Sequence, residues 1–402
     1  MAKPEQPEGV QSSSVQSAYF DNAATSYPKP PGVVAAIRDC LDQSLTVARS
    51  THRAPFRADD VLRRCRSRLS SYFGGSAAEE IIYTFSATDS LNIAINGLVP
   101  DGSHVLVSPL EHHSVMRPLH HRRRAGRVEF DVLPADSLGY VDIDSIRSLL
   151  RPETRCIIIN WVSNVSGVMQ PAAEIGRIAS ELGIDFLLDA SQAGGSHPID
   201  VQQLACTAMT MPGHKSMMSI PGTGILYLRR DREIEPWRIG GTGHRSELLF
   251  QPEERPHRYE SGTPNVAGIV GLDAAMDWFE QTGIENISTH SKAITSCLWD
   301  GLSAIDGISL IGPSPQHPRG SVISFTVDGI DPIAFSEVLS SHFGISTRPG
   351  LHCAPSAHRH YGTLDSGGTV RLSVGYFTSE AEVDYCLSSI AEALAGFAAS
   401  SA

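Results

Sequence analysis

The 402-residue chain is poor in cysteine, has no excess of positive charge and contains no long apolar run. Its seven cysteines are scattered at 40, 65, 156, 206, 297, 353 and 386, an odd number with no Cys-x-x-Cys pair. That excludes a disulfide framework and fits free thiols in a reducing compartment, so the expected location is the cytoplasm. The net charge of −12 excludes nucleic acid as a partner, because neutralising phosphates needs a basic face. No apolar stretch approaches the roughly 18–20 residues that cross a bilayer, so no membrane association is expected. Residues 1–17 are polar, rich in Ser, Gln and Glu, and lack the apolar core and basic cluster of a signal peptide; they read as a disordered lead-in. Elsewhere the composition is that of an ordinary globular chain, 41% hydrophobic and 19% charged, neither disordered nor fibrous.

Length alone suggests two or three units at roughly 150 residues each. From about Ala18, short β-rich runs alternate with longer helical patterns, which indicates an α/β fold with a mainly parallel sheet. The strands are expected at Glu80–Phe85, His104–Ser108, Val128–Leu133, Cys156–Trp161, Asp185–Asp189 and Gly224–Leu228, with helices at Ala58–Tyr72, Asp89–Leu98, Asp144–Leu150 and Ala172–Leu182. Cys156–Trp161 is almost continuously apolar, as a strand covered on both faces must be. After Thr263 the rhythm changes. One long helical pattern, Val266 to about Trp299, precedes Ile308–Ile311, Ser321–Val327, a helix Pro332–Phe343, a strand Thr369–Val374 and a last helix from Ser379 to about Leu394. The expected organisation is a large domain over residues 18–265 and a smaller C-terminal α/β domain over residues 266–402, with the N-terminal segment lying on or near the smaller one.

Four constellations carry chemistry. Phe186-Leu-Leu-Asp189 ends a strand, where a parallel sheet presents ligands, and runs into Ala-Ser-Gln192. Pro212-Gly-His-Lys215 places a lysine among small and apolar residues, where lost solvation lowers an amine pKa and makes a nucleophile. A Schiff-base lysine and a carboxylate for a pyridinium nitrogen are the two groups that pyridoxal phosphate requires; a surface lysine and a strand-end carboxylate would look the same. Ser86-Ala-Thr-Asp89 fits a capping box, and the helix start it marks, with the Thr88 hydroxyl, also suits a phosphate. Glu111-His-His113 follows a strand, so its histidine suits stacking on a planar cofactor and shuttling protons, or is a plain loop histidine. The run His120-His-Arg-Arg-Arg124 reads as a solvated helix face.

In the fourth, Thr347-Arg-Pro-Gly-Leu-His-Cys-Ala-Pro355, Cys353 lies beside His352 and Arg348, and nearby positive charge favours a thiolate. The alternative is an unreactive loop thiol. Arg371, in Thr369-Val-Arg-Leu-Ser373, suits a bidentate fork on a carboxylate or a structural ion pair. No metal site is expected: the spacing of His352, Cys353, His358 and His360 matches no common zinc pattern. The other six cysteines read as inert.

Taken together, these motifs resemble the cysteine desulfurases, in the class V branch of the fold-type I pyridoxal-phosphate enzymes. The resemblance runs from Tyr19-Phe-Asp-Asn-Ala-Ala-Thr25 to about Ala395 and includes, in order, Val162-Ser-Asn-Val-Ser-Gly167, Gly222-Thr-Gly224 and Glu260-Ser-Gly-Thr-Pro-Asn265 among the segments above. The Arg348–Cys353 loop is similar to the branch with a short cysteine loop. The resemblance implies that Lys215 bonds covalently to pyridoxal 5'-phosphate, that Asp189 pairs with the ring nitrogen and that Gln192 contacts the ring hydroxyl. It implies that His112 stacks on the ring, and that Ala87, Thr88 and His214 bind the phosphate with Thr263 of a second subunit in a homodimer. Asn164 and Arg371 would hold the substrate carboxylate, with Arg348 beside them. The catalytic set would be Lys215, His112 and Cys353. The substrate would be L-cysteine, converted to alanine with a persulfide left on Cys353 for a thiol-bearing acceptor protein. A related class V enzyme, such as a selenocysteine lyase, C–S lyase or aminotransferase, is the second reading, and a degenerate scaffold the third. Pro212 and Ala87 depart from relatives that carry hydroxyl residues there, and Ser216-Met-Met-Ser-Ile-Pro221 departs from their usual wording.

Overall fold

A computed structural model describes residues 17–43 and 58–401, so the expected lead-in falls, but for residue 17, outside the described residues. The described residues open with the short strand β1 (Ala18–Tyr19). It then lays down β2 (Ile81–Thr84), β3 (Ser103–Val107), β4 (Val128–Val132), β5 (Thr154–Asn160), β6 (Asp185–Asp189), β7 (Ala208–Pro212) and β8 (Gly224–Leu228). The C-terminal third adds β9 (Ile308–Ile311), β10 (Val322–Val327), β11 (Ile345–Ser346), β12 (Arg348–Gly350) and β13 (Thr369–Ser373). Strands β2 to β8 form one sheet in the order β2-β8-β7-β6-β5-β3-β4. In it β8 runs antiparallel to both its neighbours while the others run one way. Strands β12-β13-β10-β9 form a second, antiparallel sheet, and β1 pairs with β11.

The continuous apolar runs of the central strands are explained by two cores, one on each face. Along β5, Ile157 and Ile159 enter one core while Cys156 and Ile158 enter the other; Leu188 and Leu187 of β6 divide the same way. Helices Ala58–Tyr72, Ala172–Glu181 and Val266–Thr282 cover the first face, and helices Ala87–Leu98 and His113–Arg124 the second. Strand period 2 and helices on both faces are the two halves of one pattern. A separate core joins β10 and β13 to helices Ile284–Ser303, Pro332–Phe343 and Glu380–Ser401, and takes in Ala18 and Phe20 from the chain's beginning. This is the expected α/β architecture.

Two details differ from the expectation. The long helix after Thr263 is two helices, broken at Gly283, whose φ of +80° lies in a region that glycine takes at least cost. The strand Ala208–Pro212 and the helix Pro31–Leu41 were not anticipated, and the helix expected at His120–Arg124 already begins at His113. The strand carries a single β-branched residue, and both helices contain proline.

Candidate active site

Because β2, β3, β5, β6 and β7 run in one direction, the segments that follow them emerge along one edge of the sheet, the edge where open α/β sheets bind ligands. Those segments carry Ser86-Ala-Thr88, His112, Asn164, Asp189 with Gln192, and His214-Lys215. They converge on a cavity of about 110 Å³ lined by Ala87, Thr88, His112, Ser114, Asn164, Asp189, Gln192, His214 and Lys215 among others. Eight of the residues singled out from the sequence are thus brought to one place.

One end of the cavity is built for an anion. Ser86 caps the helix Ala87–Leu98 by accepting from Asp89 N at 3.1 Å, and Asp89 Oδ2 accepts from Phe85 N at 2.9 Å. The first residues of that helix, Ala87 and Thr88, line the cavity, and a helix start carries unpaired N–H groups with the macrodipole behind them. The Thr88 hydroxyl lies 2.8 Å from Ser114 Oγ, which lies 2.9 Å from His112 Nδ1. Ser114 N donates to the same Nδ1 at 3.1 Å, so Nδ1 is the acceptor and the ring proton of neutral His112 sits on Nε2. Burial, with Lys215 next in weight, pulls the His112 pKa to about 4, so the ring is neutral at physiological pH. His214 is held down to about 4 by the same two causes, and its buried Nδ1 has no partner among the described residues.

The reactive pair sits deeper. Lys215 is partly open to the cavity, yet the atoms packed round its amine bring its pKa to about 8, against the pull of Asp189 in the other direction. Burial pushes the Asp189 carboxyl up, while Ser191 N, donating at 3.0 Å, and Lys215 push it down. Gln192 Nε2 donates to Ala23 O at 3.0 Å. The peptide carbonyls of His214 and Lys215 are gripped by the chain's own beginning: Ser26 Oγ donates to Lys215 O at 2.8 Å and Lys29 Nζ to His214 O at 2.8 Å.

Beyond the cavity lie the arginines and the thiol. Arg371 NH1 donates to Asn164 O at 3.1 Å, and Asn164 Nδ2 donates to His352 O at 2.7 Å. His113 N donates to Cys353 O at 2.8 Å. These bonds hold a loop in which His352 and Cys353 both take positive φ, +49° and +57°, a conformation that non-glycine residues adopt at a cost. Cys353 is exposed, whereas Cys40, Cys65, Cys156, Cys206 and Cys386 are buried with thiol pKa values pushed up by burial. Arg348 is ion-paired to Asp21 at 2.8 Å. Thr263 is exposed and does not line the cavity of its own chain.

The profile of the aminotransferase class-V family matches residues 18–386. The chain belongs to that family. Within it, a protein from Methanothermobacter thermautotrophicus named probable cysteine desulfurase is 34% identical over 371 residues, 91% of this chain and 92% of that one. A Synechocystis protein of the same name is 30% identical over 383 residues, 92% of this chain and 90% of that one. Among solved structures, the apo cysteine desulfurase of Thermococcus onnurineus superposes with a TM-score of 0.87 at 30% identity, covering 94% of each chain. The cysteine desulfurase CsdA of Escherichia coli, solved as its S-sulfonic acid, gives 0.84 at 26% identity and 94% of each chain. This chain is an enzyme of the cysteine desulfurase group of class V.

Within this class V centre, several residues escaped the sequence reading. Asp21, which pairs with both Arg348 and Arg371, was visible only as one letter of a landmark segment. Ser114 orients His112 from two residues away. Glu111 is fully buried and accepts from Ser108 Oγ at 2.6 Å and from Asn160 N at 2.7 Å. A usable signal existed for Lys29: the chain has four lysines, at 3, 29, 215 and 292, and Lys29 meets the segment of Lys215 at this centre.

Proposed function

We propose that the protein is a pyridoxal-phosphate-dependent cysteine desulfurase that converts L-cysteine to L-alanine and leaves the sulfur as a persulfide on Cys353. The observation that carries this reading is the convergence of Lys215, Asp189, His112 and a capped helix start on one cavity, with an exposed thiol tied through His113 to its rim.

The residues present fit the cofactor. Free N–H groups at Ala87 and Thr88, the Thr88 hydroxyl and the unpartnered Nδ1 of His214 suit its phosphate. Asp189 suits the ring nitrogen, Gln192 the ring hydroxyl, His112 the ring face and Lys215 the aldehyde carbon. Pro212 and Ala87 offer no hydroxyl, so backbone N–H groups carry more of the phosphate contact. When bound there, pyridoxal phosphate supplies an electron sink that makes the substrate Cα proton acidic.

The chain's own groups do the rest. Arg371 and Asn164 face the substrate carboxylate, the arginine through its unpartnered Nε. Lys215 Nζ, with a pKa near 8, carries the Cα proton, because near neutral pH it can both take and return one. The Cys353 thiolate attacks the substrate sulfur. An S–S bond forms as the Cβ–S bond breaks, Cβ keeps the electron pair and gains a proton, and thiol plus cysteine becomes persulfide plus alanine with no external oxidant.

A homodimer belongs to the reading, with Thr263 serving the other subunit. Its support is an apolar stretch beside it, where Ile239, Leu249 and Phe250 are 74%, 97% and 85% exposed. A thiol-bearing acceptor protein and a cytoplasmic location complete it; among the described residues no helix is long and apolar enough to cross a membrane. The proposed division at residue 265 follows the change of rhythm in the sequence, and the helix just beyond it packs on the first core.

The test is the product balance from L-cysteine. We expect one alanine per persulfide on Cys353, and Cys353→Ser should bind pyridoxal phosphate normally while forming no persulfide. Pyruvate and ammonia as products, or full desulfurase activity in Cys353→Ser, would reject the reading.

A further inference from the structure

Residues 18–26 run as a seam between the two larger sheets. β1 pairs with β11, and Phe20 N donates to Ser346 O at 2.9 Å. On the other side Ser373 N donates to Phe20 O at 2.7 Å and Ala23 N donates to Ser373 Oγ at 2.8 Å. The seam fixes Asp21 against β13, where it faces an unusual problem. Arg348 and Arg371 are direct cross-strand partners of the β12–β13 ladder. Like charges placed opposite each other in a sheet repel. The Asp21 carboxylate, 9% exposed, bridges them: Oδ1 accepts from Arg371 NH2 at 3.0 Å, and Oδ2 from Arg348 NH2 at 2.8 Å and Nε at 3.1 Å.

The charges do not cancel, since two guanidinium groups face one carboxylate. Arg371 is 3% exposed, and its Nε has no hydrogen-bond partner among the described residues. A surplus positive charge and a free N–H are what an incoming carboxylate takes. It must take them from a guanidinium that already serves Asp21.

We propose that Asp21 is a positioning residue that aims Arg371 and competes with the substrate carboxylate for it, and so sets how tightly amino-acid substrate and product are held. The proposal rests on the reading that Arg371 takes that carboxylate. Two carboxylates on one buried guanidinium lie close enough to repel strongly. Asp21→Asn keeps an acceptor for Arg371 and removes the charge, which leaves the ligand as the counter-ion of both arginines.

The experiment uses the holoenzyme, with L-cysteine turnover inhibited by L-alanine or by cysteamine, which lacks the carboxylate. In Asp21→Asn the KM for L-cysteine and the inhibition constant of L-alanine should each fall about tenfold by relief of like-charge repulsion. The cysteamine constant should stay within about twofold, because that ligand makes no carboxylate contact. The kcat should fall too, because alanine leaves more slowly. A purely structural role would raise KM and move both inhibitors together. An L-alanine constant unchanged or raised in an Asp21→Asn protein of unchanged melting temperature overturns the proposal. Arg348→Gln supplies the opposite sign: Asp21 is left to Arg371 alone, and the L-alanine constant should rise; no rise overturns the proposal as well. Arg371→Ala separates the two readings. If it leaves the L-alanine constant unchanged, Arg371 is not the carboxylate site and both fall. If it raises that constant about 100-fold, as truncating a buried charge partner does, while Asp21→Asn changes nothing, the site stands and the role of Asp21 falls.

Discussion

Glu111 shows what a single buried group does at this centre. Burial pushes its pKa to about 8, against the opposing pull of Ser108 and the Asn160 N–H, and its Oε2 has no partner among the described residues. A carboxyl whose folded pKa is raised contributes its full stability below the unfolded value, near 4.5, and loses it as pH rises through the folded value near 8. Glu111→Gln keeps the shape and cannot ionise. Urea unfolding from pH 5 to pH 8 should show the parent losing stability relative to this variant as pH rises; a constant difference across that range would refute the raised pKa. At this scale the sequence was informative where a side chain's neighbours in the chain are its neighbours in space. His112 and Lys215 stood out from Glu111-His-His113 and Pro212-Gly-His-Lys215. Asp21 did not, because its two partners lie more than 320 residues away.

Helices and strands were legible where periodicity and capping agreed. Ala58–Tyr72 and Pro332–Phe343 have the boundaries read from the sequence, and the Ser86–Asp89 cap is made as expected. Ala208–Pro212 was missed because its Met-rich text has weak strand propensity, and the sheet imposes the strand from both sides. Tertiary context also overrides propensity in the helix Ala172–Glu181. Alanine normally gains about 1 kcal/mol over glycine in a helix interior. At Gly176, however, an added Cβ would collide with the Leu204 carbonyl oxygen and press on Phe186. Gly176→Ala should therefore lower stability, by roughly 1–3 kcal/mol as overpacking does. A raised urea midpoint would show that this helix stands off from the segment ending at Leu204.

For the whole molecule, the α/β class and the edge that carries the site follow from the alternation of strands and helices; of the seam of residues 18–26 only a place on or near the smaller domain was expected, and its pairings could not be read, since nothing local marks a long-range pairing. The seam touches the centre at three points: Asp21 meets Arg371, Ala23 O receives Gln192, and Ser26 holds the Lys215 carbonyl. Ser373 is its clasp. Ser373→Ala strands the buried Ala23 N–H and should cost about 1–3 kcal/mol. Hydrogen exchange should rise together at Phe20–Ala23 and at Arg371–Ser373; exchange confined to one of them would mean that the two sides open independently. The same seam has a consequence for folding. Its hydrogen bonds join residues 350 positions apart, Asp21 to Arg371 and Ala23 to Ser373, so closing it costs the entropy of a long loop. A chain that has formed its helices but not this seam holds lysine, aspartate and thiol without a centre to unite them.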